Sequence, residues 1–246
     1  MSQELTLKVA QKFLQDNDAV DLSKFKSIAD ADAKTLSKHR GYLDLAGLTT
    51  LSDAAAKALG KHEGDLSLSG LTTLSAAAAE ALAKHRGNLW LNGLTTLSDV
   101  AAEALGKHRG VLVLSGLTTL SDVAAKALGN HKGSLGLSGL TTLSAAAAEA
   151  LGKHEGDLYL DGVVEDAVRS AREELTLKVA QKFLQDNDAV DLSKFKSIAA
   201  AAAEALGKHE GDLVLSGLTT LSAAAAEALA KHKGSLSNEL FQPLGI

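Results

Sequence analysis

Leu66, Leu68, Leu71 and Leu74 set a rhythm that recurs along most of the chain. Two leucines alternate with polar residues, two more follow at three-residue steps, and an alanine-rich run then closes on Lys-His-x-Gly. Alternation puts Leu66 and Leu68 on one face of a strand, pointing inward. The three-residue steps lead the chain through a turn. Ser75 then stands where a helix N-cap is expected, before AAAAEALAKH, a run of strong helix formers. The unit, typified by Asp65 to Gly87, is 23 residues long and is predicted to hold one strand and one helix. The histidines are its ruler: His39, His62, His85, His108, His131 and His154 stand 23 residues apart, and His209 and His232 resume the step. Asp53, Asp99 and Asp122 follow cap serines, where negative charge suits a helix N-terminus. At the other end, cations in the last turn and a Gly just beyond predict a left-handed glycine stop.

The motif Leu66-x-Leu68-x-x-Leu71-x-x-Leu74 resembles the core of leucine-rich repeats, closest to the 23-residue bacterial type. The resemblance implies an α/β leucine-rich-repeat solenoid, with a parallel β-sheet on the concave face and short Ala-rich α-helices on the convex face. It implies no enzymatic activity, since most members of that family bind proteins. One position departs. Leu71 and its equivalents replace the usual Asn or Cys, so the family's buried amide row is expected to be missing. The Thr-Thr pairs, present in six units, are then candidates for bonding the turn's backbone. Alanine at helix contacts permits close approach, which predicts gentle curvature.

Strand starts are predicted at Val20, Leu43, Leu66, Leu89, Leu112, Leu135 and Leu158, after which the register slips. The next strand-like group is Val190, Leu192, Phe195 and Ile198. Between them, Val164, Val168, Ala171, Leu175, Val179 and Phe183 fall on one face of a helix. Residues Glu4 to Ala29 recur unchanged as Glu174 to Ala199, which points to recent duplication or to engineering. At the front this segment reads as a cap that covers the open end of the array. The predicted organisation is a capping helix over 1–18, an array over 19–162, and a long inserted helix over 163–188 that duplicates the cap. The array continues over 189–235, and 236–246 form a partial C-terminal cap or a tail. Tandem capped arrays and one continuous solenoid both fit; immediate resumption of the strand pattern favours the second.

Composition narrows the chemistry. The chain of 246 residues has no Cys and a net charge of −5, which removes disulfides, thiolate chemistry and any broad basic surface for nucleic acid. The start lacks a secretory pattern, and no apolar stretch is long enough to span a membrane, so a cytoplasmic location is the default expectation. Phosphate loops and hydrolase motifs do not occur, so no catalytic residues and no cofactor are expected. The evenly spaced histidines invite a metal reading. Each belongs to a different helix, however, and helices roughly 8–10 Å apart cannot share a metal through them. A capping role beside the glycine is preferred, predicting acid sensitivity rather than metal dependence. Ice binding through Thr-Thr is set aside because those residues fall in turns.

Variation between units is concentrated at three positions beside the strand leucines, which alternation turns away from the core. The partner-binding candidates are Tyr42, Asp44, Asn88, Trp90, Asn92, Val111, Val113, Asp157, Tyr159 and Asp161. The only Trp and both Tyr of the chain stand among them, and aromatics ringed by Asp, Asn and Ser resemble an interface hot spot with a polar rim. Plain drift at exposed strand positions is the simpler alternative. The expected function is a non-enzymatic protein- or peptide-binding scaffold, monomeric or weakly dimeric. Against it stand a self-assembling solenoid and an engineered scaffold without a natural ligand.

Overall fold

A computed structural model describes residues 4–238 and 240. The chain divides into two compact units, 1–168 and 169–246, each taken here by itself. The first opens with strand β1 (Glu4–Leu5), helix α1 (Leu7–Gln15) and two short 3-10 turns, Asn17–Ala19 and Leu22–Lys24. Strands and helices then alternate: β2 (Ser27–Ile28), α2 (Asp30–Leu36), β3 (Leu43–Asp44), α3 (Asp53–Leu59), β4 (Leu66–Ser67), α4 (Ala76–Leu82), β5 (Leu89–Trp90) and α5 (Asp99–Leu105). The alternation continues through β6 (Leu112–Val113), α6 (Asp122–Gly129), β7 (Leu135–Gly136), α7 (Ala145–Gly152) and β8 (Leu158–Tyr159). Helix α8 (Gly162–Glu173) carries the chain into the second unit. That unit holds β9 (Glu174–Leu175), α9 (Leu177–Gln185), 3-10 turns Asn187–Ala189 and Leu192–Lys194, β10 (Ser197–Ile198), α10 (Ala200–Leu206), β11 (Leu213–Val214), α11 (Ala223–Leu229) and β12 (Leu236–Ser237).

The architecture is an α/β repeat solenoid. Strands β3 to β8 form one six-stranded parallel sheet in which each residue pairs with its equivalent in the next unit, Leu43 with Leu66, Leu66 with Leu89, and onward to Leu158. Such a register follows from repetition, because equal units stacked in parallel offer equivalent donors and acceptors at every step. Leu66 N–H donates to Asn88 O and Leu68 N–H to Trp90 O, both at 2.9 Å. The inward leucines Leu66, Leu68 and Leu71 are wholly buried, as are Ala78, Ala79 and Leu82 on the helix of the same unit, all at 0% exposure. The Leu-x-x-Leu turn closes on itself, Leu71 N–H donating to Leu68 O at 3.1 Å. That bond gives the Leu71 N–H a partner within the turn, a need expected to fall on other groups. Threonines add to it in places, as when the Thr49 hydroxyl donates to Lys26 O and that of Thr141 to Thr118 O.

Four of the cap serines, Ser52, Ser75, Ser121 and Ser144, act twice. The Ser75 hydroxyl accepts from Ala78 N–H at 3.0 Å, closing its own helix, and donates to the carboxylate of Asp53, first residue of the preceding helix. The same link joins Ser52 to Asp30, Ser121 to Asp99 and Ser144 to Asp122. The acids expected only to favour a helix dipole therefore also tie successive units together.

Four expectations need correction. The glycines after histidine are not left-handed, since Gly162, at φ +56°, is the one residue with positive φ among those described. They are glycines because units approach closely: a Cβ on Gly64 would lie 2.2 Å from Gly41 O. The inserted helix expected over 163–188 is two helices, α8 and α9, parted by β9. Leu175 leaves the helical path because it pairs with Ile198 and is fully buried, as Leu5 pairs with Ile28 at the front. The capping segment 1–18 accordingly contains a strand as well as its helix. Finally, Val20 and Val190 do not start strands. The Asp21 and Asp191 carboxylates accept from Ser23 and Ser193 N–H two residues on, curling the chain into 3-10 turns, and pairing begins at β2 and β10.

The second unit repeats the plan. Leu175, Ala180, Phe183, Leu192 and Ile198 from the duplicated segment join Leu206, Leu213, Leu215 and Leu229 in one core. Strand β12 pairs with β11, and at its end Asn238 takes an inward leucine's place. Its amide donates to Leu215 O and to Leu218 O, the latter at 3.2 Å, so a polar side chain closes the last turn. The rest of the expected C-terminal cap or tail, at 239 and 241–246, lies outside the described residues.

Candidate functional site

The six-stranded sheet buries one face against the helices and leaves the other to solvent, and strand parity assigns the variable residues to the second. Tyr42 and Tyr159 are 55% and 59% exposed. Asn92, Asp157 and Asp161 are exposed as well, and Asp44, Asn88, Trp90, Val111 and Val113 are half-buried. The predicted residues therefore share one surface of the first unit.

Within that surface, contacts divide them. Tyr42 and Trp90 meet edge to face with ring centroids 5.8 Å apart. Trp90 pairs in register with Ser67 on β4, and Ser67 is only 4% exposed although it points away from the core. The small serine lies between two large rings, which explains its burial. On the other side Val113 leans over Gly136, where an added Cβ would stand 2.9 Å from the valine Cγ1. Ser67 and Gly136 thus floor the aromatic and aliphatic centre. Sequence reading left them out because small residues carry no signal of their own; their equivalence in register to Trp90 and Val113 is the clue that was present.

The polar members are partly used inside the sheet. Asn88 donates its side-chain amide to Asp65 at 3.3 Å and its N–H to the same carboxylate at 2.9 Å, and its side-chain oxygen accepts from Val111 N–H at 3.0 Å. Asp44 accepts from Ala46 N–H at 3.0 Å, and Asp157 from the Ser134 hydroxyl at 3.3 Å. Asn88 therefore belongs chiefly to the edge of the ladder, while the donors to the aspartates are neutral and leave their charge intact. Asp65, passed over as a candidate, stands with them.

The histidines form a different feature. From His39 to His154 their rings stack nearly parallel, centroids 5.9 to 6.1 Å apart and planes within 8°. The spacing is shorter than the helix separation used to predict it, because the rings occupy the tight segment between helix and strand. Phe13 meets His39 edge-on at 5.1 Å, and Phe183 does the same for His209 at 5.6 Å. Each capping segment thus closes its own stack with an aromatic ring. The bonds run between units: Nε2 of His62 lies 2.9 Å from Gly41 O, and that of His131 lies 3.0 Å from Gly110 O. In His62 and His131 the expected bonding to the carbonyls of the histidine's own helix gives way to bonding to the preceding unit, and both ring nitrogens of His85, His108, His154 and His232 are buried without a hydrogen-bond partner. Parallel rings aim their nitrogens within separate planes, so neighbours do not converge on one point. No group of three or more His, Asp or Glu among the described residues is placed to hold a metal ion.

Burial holds His108 near a pKa of about 4, with the charges His131 and His85 would carry as the next contributions. His85 and His131 are lowered in the same direction, burial first. Shallow grooves on the helical side are lined by solvated charge, one of about 400 Å³ running past Glu80, Lys84, Glu103 and Lys107 beside Val100, and they gather no reactive set. No helix among the described residues is long and apolar enough to cross a membrane. Neither the models of known families nor the curated proteins contain a match to this chain.

Proposed function

We infer that the protein is a non-enzymatic binding scaffold, of leucine-rich-repeat type, whose open sheet face holds a protein or peptide partner. The observation that carries this reading is the Tyr42–Trp90 pair. Two aromatic rings lie across three strands on a face turned to solvent, while the leucines of those strands, Leu43, Leu45, Leu66, Leu68, Leu89 and Leu91, are fully buried. A large ring on such a surface contributes apolar area at small entropic cost, which is how interface anchors act. Drift alone does not account for a partner ring on a strand two units away, nor for the small Ser67 between them. The polar surround of Asp44, Asn92, Asp157 and Asp161 supplies a rim.

Trp90→Ala tests the reading. Proteins retained from extract on the immobilised wild-type chain are purified and their affinities measured for both forms. The substitution is expected to weaken binding by about 2 kcal/mol or more with the far-UV CD spectrum and Tm little changed. Equal affinity for both forms would remove the sheet face as the binding surface.

A further inference from the structure

We propose that this face takes an extended peptide bearing two cationic side chains about seven residues apart with apolar side chains between them, a statement that rests on the binding reading above. Charge is the first ground. The three outward positions on each of strands β3 to β8 include Asp44, Asp65, Asp157 and Asp161 and no Lys or Arg. Asp44, Asp65 and Asp157 accept from the neutral donors Ala46, Asn88 and Ser134, which orient them without cancelling their charge.

Position is the second ground. The carboxylates cluster at the two ends of the sheet, each beside an exposed ring. On β8, Asp157 and Asp161 stand two residues before and after Tyr159 and share its face, all three exposed. On β3 and β4, Asp44 and Asp65 stand around Tyr42. A carboxylate next to the face of a phenol ring suits an ammonium or guanidinium group, which gains ionic and cation–π attraction together. Between the poles the surface changes character: Trp90, Val111 and Val113 lie over Ser67 and Gly136 and offer apolar contact.

Length fixes the spacing. From β3 to β8 there are five inter-strand steps, roughly 24 Å at about 4.8 Å each, which an extended peptide covers in about seven residues at roughly 3.4 Å per residue. The peptide crosses the strands instead of adding to them, so side chains, not a new backbone ladder, carry recognition. An acidic peptide would meet like charge at both ends.

The test is selection of displayed peptides, random over about twelve residues, on the intact chain, followed by fluorescence anisotropy with the enriched peptides. The expected peptides carry Lys or Arg at two positions about seven apart with apolar residues between. Their affinity falls by at least about tenfold in Asp157→Asn/Asp161→Asn and in Trp90→Ala, and falls again as salt is raised. Both aspartates are exposed, so folding is retained, and salt dependence gives a readout that needs no variant. Enrichment of neutral or acidic peptides that still depend on Trp90 would overturn the cationic inference and leave the binding face standing. Enrichment indifferent to Trp90→Ala, or no enrichment, would overturn both. A dimer in light scattering that Trp90→Ala dissolves would assign the face to a second copy of the chain and overturn the peptide.

Discussion

A methyl group placed on Gly64 would stand 2.2 Å from the carbonyl oxygen of Gly41 and 3.0 Å from the ring of His62. At Gly162 the position is reversed: φ is +56° but nothing lies within 4 Å of an added Cβ. The two glycines look alike in sequence and are required for different reasons. Gly64→Ala is expected to cost about 1–3 kcal/mol through overpacking between units, and Gly162→Ala about 1–2 kcal/mol through backbone strain alone. Urea unfolding measures both, and an unchanged midpoint for Gly64→Ala would contradict the close approach. Serine caps offer a second comparison. Ser75 caps its helix at 3.0 Å and also bonds Asp53, whereas Ser98 caps at 3.3 Å and follows a helix that begins with Ala76. Ser75→Ala should therefore lose about 1–2 kcal/mol, more than Ser98→Ala; equal losses would show that the Asp53 bond adds nothing. The serine as cap was legible from its place before a run of alanines. Its bond to Asp53 was not, because the partners lie 22 residues apart and meet only once the units are stacked.

The same limit acts on whole elements. The stretch from Val164 to Phe183 keeps its apolar residues at helical spacing, so period alone reads it as one helix. Leu175 satisfies that period and also the pairing of a two-residue strand, and the choice is made by Ile198, which offers it a parallel neighbour. The clue lay in the duplication, since an identical segment at the front must find the same local minimum. Leu175→Ala should then destabilise the second unit by about 2–5 kcal/mol, the usual loss for a buried leucine. The only Trp, Trp90, lies in the first unit, so its fluorescence reports that unit while far-UV CD reports both. The CD transition is expected to move further than the fluorescence transition; coincident movement would contradict two separate cores. For the candidate surface, strand parity already placed Tyr42, Trp90 and Tyr159 on one face. The Tyr42–Trp90 contact, the floor made by Ser67 and Gly136, and the capture of Asn88 by Asp65 needed the register of neighbouring strands.

Within the first unit, the histidines served first as a ruler and then proved to be a column of rings, buried from His62 to His154. Their spacing of 23 residues is what makes six of them in the first unit stack, yet nothing in one unit foretells a 6 Å ring separation. Stacking has a consequence for acid stability. Burial, then the charges of His131 and His85, lowers His108 from 6.5 to about 4, and burial lowers His39, His85 and His131 in the same direction. The folded state thus takes up protons at these rings less readily than the unfolded chain, which protonates them below about pH 6.5, so the unfolded state binds more protons. Stability rises with pH wherever that holds. Their contribution is complete above about pH 6.5 and is lost as pH falls below it, for His108 toward about 4. Near pH 6 most carboxylates remain ionised, so a loss there points to imidazole. The urea midpoint, followed by Trp90 fluorescence, should fall between pH 7 and pH 5 in the wild type, and less steeply in His108→Gln, which removes one titrating ring from the middle of the column. A flat midpoint over that range would mean that the buried rings accept protons without disturbing the stack, and the column would then have no part in acid stability.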